Sequence, residues 1–107
     1  MHCQVVNFRL DGVSDAQFRE MCDQLAPAWA AIPGLVSKVW LANAEENRYG
    51  GVYLWRDRAA MDDFVRGDLF RMVATHPNLN DVTAADFGIM EGPTALTHGL
   101  PMAAAAA

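Results

Sequence analysis

Lys38, Trp40, Tyr53 and Trp55 carry most of the chemical interest in this 107-residue chain. They recur at every second position of two segments, 35–42 and 50–55, which flank the polar turn Ala44-Glu45-Glu46-Asn47. Pairing Asn43 with Arg48 across that turn sets Trp40 opposite Gly51, Lys38 opposite Tyr53 and Val36 opposite Trp55. The four then share one sheet face. The other face carries Leu35, Val39, Leu41, Val52 and Leu54, with Ser37, and is nearly pure aliphatic. A one-residue slip would exchange the faces. Glycine opposite Trp40 leaves room for a ring, of the protein or of a ligand, to lie flat over the sheet. Aromatic walls with a few polar groups suit a flat apolar small molecule. The same rings would serve equally well as plain core or as a dimer interface.

Lys38 is the only lysine in the sequence. A lysine among apolar neighbours needs a partner, and Asp86, in the middle of a later strand, is a candidate for an ion pair. The alternative is a substrate-anchoring charge: a partly desolvated amine would steady a phenolate or an enolate. Lys38 and His76 form the candidate catalytic set, with Trp40, Tyr53, Trp55, Asn7 and Asp86 as candidate substrate contacts. His76 is the general-base candidate, because imidazole titrates near neutral pH. At a helix end it could instead cap carbonyls and meet the helix dipole. No His/Asp/Glu spacing suggests a metal site, including that around His2 and His98. Cys3 and Cys22 read as reduced, half-buried hydrophobes. Met61 and Met72 read as core filler.

The elements that must position these groups are legible in the hydrophobic periodicity. Residues 2–10 alternate as a strand closed by Asp11-Gly12. Ser14 and Gln17 make a capping box, Val13 and Phe18 a hydrophobic staple, and Phe18, Met21, Cys22, Leu25 and Trp29 one helical stripe. Pro27 should tighten the last turn, and Pro33-Gly34 ends the helix. Asp57 caps a second helix bearing Met61, Phe64 and Val65, which Gly67-Asp68 interrupts before Leu69, Met72 and Val73 resume it. Val82 to Glu91 is expected as a fourth strand. Residues 1–92 thus form one domain, and 93–107 a tail ending in an alanine run expected to fray.

The order β-α-β-β-α-β predicts a ferredoxin-like α+β sandwich, a four-stranded antiparallel sheet with both helices on one side. Middle strands that are apolar on both faces then call for a second copy, sheet against sheet, as a homodimer.

The runs Pro33-Gly34-Leu35-Val36-Ser37-Lys38-Val39-Trp40, Gly50-Gly51-Val52-Tyr53-Leu54-Trp55 and Arg58-Ala59-Ala60-Met61 resemble the YdhR-like monooxygenases. These belong to the dimeric α+β barrel superfamily, with the cofactor-independent antibiotic-biosynthesis monooxygenases. The likeness covers roughly residues 2–92. It implies an enzyme acting on an aromatic or polycyclic molecule without a cofactor, in secondary metabolism. Asn7, on a central strand beside Arg9, is reminiscent of the superfamily's haem-degrading members. Those also carry Trp and His within the second helix, where this chain has Phe64 and Phe70, so haem is a minor reading.

Charge and composition exclude other classes. Eight basic against thirteen acidic residues give a net charge of −5, which repels phosphate backbones and disfavours nucleic acid. The chain is 52% apolar, enough for a core, yet no apolar run reaches the ~20 residues of a membrane span. Residues 1–10 do not read as a signal peptide, which predicts a cytoplasmic protein. The reading is a homodimeric, cofactor-independent oxygenase, or an enolate-forming isomerase or cyclase, in which Lys38 holds the anion and His76 moves the proton. The alternative is a non-catalytic dimer that binds a hydrophobic ligand.

Overall fold

Alternation in the first segment becomes β1 (His2–Leu10), in which Gln4, Val6, Phe8 and Leu10 are buried on one face. The computed structural model describes residues 1–100; the alanine run at 103–107 lies outside the described residues. The capping box forms as expected: Gln17 N–H donates to Ser14 Oγ at 3.1 Å and Ser14 N–H to Gln17 Oε1 at 2.9 Å. That pins the start of α1 (Asp15–Ala30), which carries Pro27 within its last turn. Next come β2 (Leu35–Asn43) and β3 (Arg48–Trp55), joined by the 44–47 turn. Asn47 closes that turn at φ 51°, a left-handed conformation asparagine tolerates. Its side-chain amide also exchanges two 3.0 Å hydrogen bonds with the Leu10 backbone, tying the turn to the end of β1.

Asp57 accepts the Ala60 N–H at 2.9 Å and opens α2 (Arg58–Arg66). Gly67, in an extended conformation, separates it from α3 (Asp68–Thr75). The last strand, β4 (Leu79–Gly88), starts and ends three residues earlier than the sequence suggests. Leu79 is 8% exposed and pairs with Leu10, so core burial fixes its start. The chain then enters α4 (Glu91–Leu96), where a loose tail was expected. Pro93 is tolerated there because it sits in the first turn, where no intrahelical partner is needed for its missing N–H.

The sheet is antiparallel throughout, in the order β2-β3-β1-β4. Its core side meets Phe18 and Trp29 of α1 and Ala60, Met61 and Phe64 of α2 in one cluster with Val6, Phe8, Leu10, Tyr49, Tyr53, Trp55 and Leu79. This is the ferredoxin-like α+β fold.

Pairing of β2 with β3 follows the expected register at Asn43–Arg48, Trp40–Gly51 and Lys38–Tyr53, but not at the far end. Leu35, not Val36, pairs with Trp55, because the strand bulges between Leu35 and Ser37. The bulge moves Leu35 off the aliphatic face and packs it against the core. The aliphatic face is only partly covered in the single chain: Leu54 on it is buried, but other side chains are open. Val39 is 58% and Phe87 57% exposed on it. Cys3, Val5, Leu41 and Val52, alongside them, are half-buried.

Candidate active site

The site is built on the helix side of β2 and β3, against the last two turns of α1. Trp29, buried at 2% exposure, donates its indole N–H to the Tyr53 hydroxyl at 3.2 Å. The Trp40 ring leans on Trp29 with centroids 5.9 Å apart. Lys38 reaches into the space between these rings. Its Nζ stands 3.3 Å from the Trp40 centroid and 4.7 Å from the centroids of both Trp29 and Tyr53. A Cβ on Gly51 would come within 2.6 Å of Lys38 Cε. The glycine opposite Trp40 therefore makes way for the lysine stem, not for a ring.

Among the described residues, no carboxylate lies within ion-pair distance of Lys38. Burial lowers its pKa from 10.5 to about 7, with the Cys22 thiol pulling weakly the other way. Burial raises the Cys22 thiol, against the opposing pull of Lys38, and pushes Tyr53 up to about 12. Three aromatic faces hold the amine where a counter-ion would ordinarily be required.

The expected ion pair with Asp86 does not form. Lys38 is on edge strand β2 and Asp86 on the opposite edge strand β4, three strand spacings or ~14 Å away. Asp86 instead meets His2, Nε2 to Oδ2 at 2.6 Å. Asn7 projects from the open sheet face, its amide reaching the Tyr49 carbonyl at 3.5 Å, so it is on the other side of the sheet from Lys38. Trp55 lies one layer behind the site. It is fully buried, stacked on Tyr53 at 5.7 Å and 7°, and its N–H donates to Gln4 Oε1 at 3.1 Å.

His76 does join Lys38, Trp40 and Tyr53. All four line a narrow cavity of about 50 Å³ beneath Trp40, together with Cys22 and Trp29. His76 Nδ1 accepts the Asn78 N–H at 3.1 Å. In the neutral ring the proton therefore sits on Nε2, and the imidazole offers a donor rather than a free base. Its backbone N–H also caps α3 through the Val73 carbonyl.

The cavity has room for no more than a water or two, whereas small-molecule sites run to ~300–1,000 Å³. Two open clefts flank it, both bordered by Trp40. One, of about 430 Å³, runs along Arg19, Cys22, Asp23 and Ala26. The other, of about 330 Å³, runs between Ala26, Trp29 and Ala30 of α1 and Val36, Ser37 and Lys38 of β2. A porphyrin has no place against His76 in so small a cavity. The phenyl rings of Phe64 and Phe70, in edge contact at 5.5 Å, occupy the helices where a haem ligand was sought.

By periodicity Cys22 and Trp29 belong to the core stripe of α1; in the fold they also line the site. Their seven-residue spacing already placed them on one helix face, but nothing linear tied that face to Lys38.

Solved structures share this architecture. SnoaB, a cofactor-independent oxygenase from Streptomyces nogalater, aligns over 84% of this chain and 93% of its own at 20% identity, TM-score 0.66. The haem degrader MhuD from Mycobacterium tuberculosis aligns over 84% of this chain and 96% of its own at 16% identity, TM-score 0.67. NE2512 from Nitrosomonas europaea aligns over 85% and 90% at 13% identity, TM-score 0.69. At these identities the likeness is one of fold. No curated protein sequence matches the chain. The family described as "Putative mono-oxygenase ydhR" matches residues 4–100, which takes in the site and all but the first two residues of the sheet, and the chain belongs to that family.

Proposed function

We propose that this protein is a cofactor-independent oxygenase of small, flat aromatic carbonyl or phenol substrates, working at Lys38 in the cleft between α1 and β2. The observation that carries this reading is the amine itself, held 3.3 Å over Trp40 with no carboxylate beside it. With its pKa near 7, the amine takes a proton from an acidic substrate C–H or O–H and then, as ammonium, stands beside the anion it has made. The electron-rich carbanion reduces molecular oxygen. In the net reaction a CH₂ group and O₂ become a ketone and water, so one oxygen atom enters the product and no external reductant is needed. Trp40, backed by Trp29, supplies a flat wall, and the Nε2–H of His76, in the lining of the adjoining cavity, is the donor for the departing oxygen. The homodimer belongs to the same proposal. Val39 and Phe87 leave an apolar sheet face that a second copy would cover.

The test is oxygen uptake against a panel of anthrones and quinols, with metal analysis of the same preparation. One O₂ consumed per ketone formed is expected, and Lys38→Met should lose at least 100-fold in turnover while still binding substrate. Tight binding without oxygen uptake by the parent protein would make it a ligand-binding dimer instead. Stoichiometric iron would remove the cofactor-free mechanism.

A further inference from the structure

A primary amine that borders an open cleft, lacks a counter-ion and is ringed by aromatic faces is equipped for covalent chemistry as well as for moving protons. We propose that Lys38 is a carbonyl-capturing nucleophile that forms an imine with an aldehyde or ketone carried on a flat apolar body. Three features of the geometry point to this. Lys38 lines both the buried cavity and the open 330 Å³ cleft, so the residue stands at the border between the two and a carbonyl compound has a route to it from solvent. No carboxylate holds the amine as ammonium, and the cavity gives little water to solvate that charge. The Trp40 ring, 37% exposed and backed by Trp29, offers a flat face for the apolar body of a substrate whose carbonyl stands at the amine.

The step balances without an oxidant or reductant. The nitrogen lone pair bonds to the carbonyl carbon and the π pair moves to oxygen. A proton passes from nitrogen to oxygen, giving a carbinolamine, and loss of water leaves C=N. At pH 7 about half of Lys38 is neutral, against about one in three thousand for an ordinary lysine. The titratable groups facing the amine are Cys22 from α1, Tyr53 from β3 and His76 beyond α3, with Arg19 and Asp23 across Trp40 in the outer cleft.

The chain makes a clean experiment, since Lys38 is its only lysine. The other primary amine is that of Met1, bonded to Glu91 at 3.3 Å, and peptide mapping separates the two. The probe is benzaldehyde with sodium cyanoborohydride, read by intact mass and by the labelled peptide. A single benzyl group on Lys38 is expected, at a rate at least ~100-fold above that of Nα-acetyl-lysine at pH 7. The rate should level off above pH ~7 rather than climb toward 10. Lys38→Arg, which keeps the charge and the stem, should remain folded by circular dichroism and take no label at position 38. A Lys38 that stays unlabelled, or that labels with the rate and pH profile of acetyl-lysine, overturns the proposal and makes the rings a structural cage. Label on Lys38 in a protein that consumes no oxygen upholds imine formation and removes the oxygenase. Oxygen uptake by a protein whose Lys38 resists labelling does the reverse.

Discussion

Replacing Lys38 by Met should stabilise the fold, and by an amount that depends on pH. The depressed pKa means that the folded state disfavours the ammonium form. The gap between 10.5 and about 7, at 1.36 kcal/mol per pH unit, gives an upper limit of ~5 kcal/mol. The amine borders an open cleft, and solvent screening roughly halves this, to ~2–3 kcal/mol. Methionine fills similar space and gives up a cation–π attraction of ~0.5–2 kcal/mol, so the net gain at pH 7 is ~0–2.5 kcal/mol, centred near ~1 kcal/mol. At that centre a domain of this size would melt ~5 °C higher. The sign follows from proton counting. Below pH 7 both folded and unfolded chains hold the lysine proton, and the full penalty stands. Between pH 7 and 10.5 only the unfolded chain holds it, so the parent gains stability as pH rises and the advantage of the variant shrinks. Burial also raises the thiols of Cys3 and Cys22 and the phenol of Tyr53, which lowers stability at higher pH. Subtracting the parent curve from the variant curve removes most of that contribution. Thermal melts at fixed protein concentration and half-unit steps from pH 6 to 9.5 provide the measurement. A variant less stable than the parent at pH 7, or a difference that stays flat to pH 9.5, refutes the reasoning.

Tyr53→Phe removes the acceptor of the buried Trp29 N–H and should cost ~1–3 kcal/mol, visible as a melting point lowered by at least ~5 °C. An unchanged melt would mean that the indole finds another partner. Gly51→Ala meets the flexible end of Lys38 at 2.6 Å, with Tyr53 Cε1 and the Val39 carbonyl at 3.3 and 3.4 Å, so the fold should survive within ~1 kcal/mol while benzaldehyde labelling slows at least tenfold. Unaltered labelling would show that the stem does not need that glycine. Val39→Glu alters a side chain already 58% exposed in the single chain and should leave each subunit folded. By sedimentation at micromolar concentration the parent should run as a dimer and the variant as a monomer; a parent that runs as a monomer ends the sheet-to-sheet assembly.

The sequence carried the fold because local signals agreed with one another. Ser14 with Gln17, Asp57 and the 44–47 turn each fixed an element end through its own hydrogen bonds. The Val36 bulge was not legible, because an extra residue in an apolar run leaves no mark on composition. The Lys38–Asp86 pairing fails for a reason the topology already contained. In this fold the second and fourth strands are the two edges of the sheet, and partners across the whole sheet cannot touch. Lys38, Trp40 and Tyr53 are legible as a set because they lie on adjacent strands, where alternation reports shared faces. Trp29 and His76 join them through tertiary packing, which no linear spacing encodes. The helix after β4 was hidden by Gly92 and Pro93, residues that ordinarily argue against one.

The arrangement of the three tryptophans gives the protein a built-in optical reporter. Trp29 and Trp55 are shut away from water at 2% and 0% exposure, and Trp40 is open at 37%. Emission therefore divides into a blue component from the buried pair and a red-shifted one that belongs to Trp40. A proton leaving Lys38 removes a positive charge 3.3 Å from the Trp40 ring, so red-edge intensity tracks the ionisation of the amine. A molecule entering either cleft strips water from the same indole and moves the same band, so occupancy can be followed in unlabelled protein, without turnover.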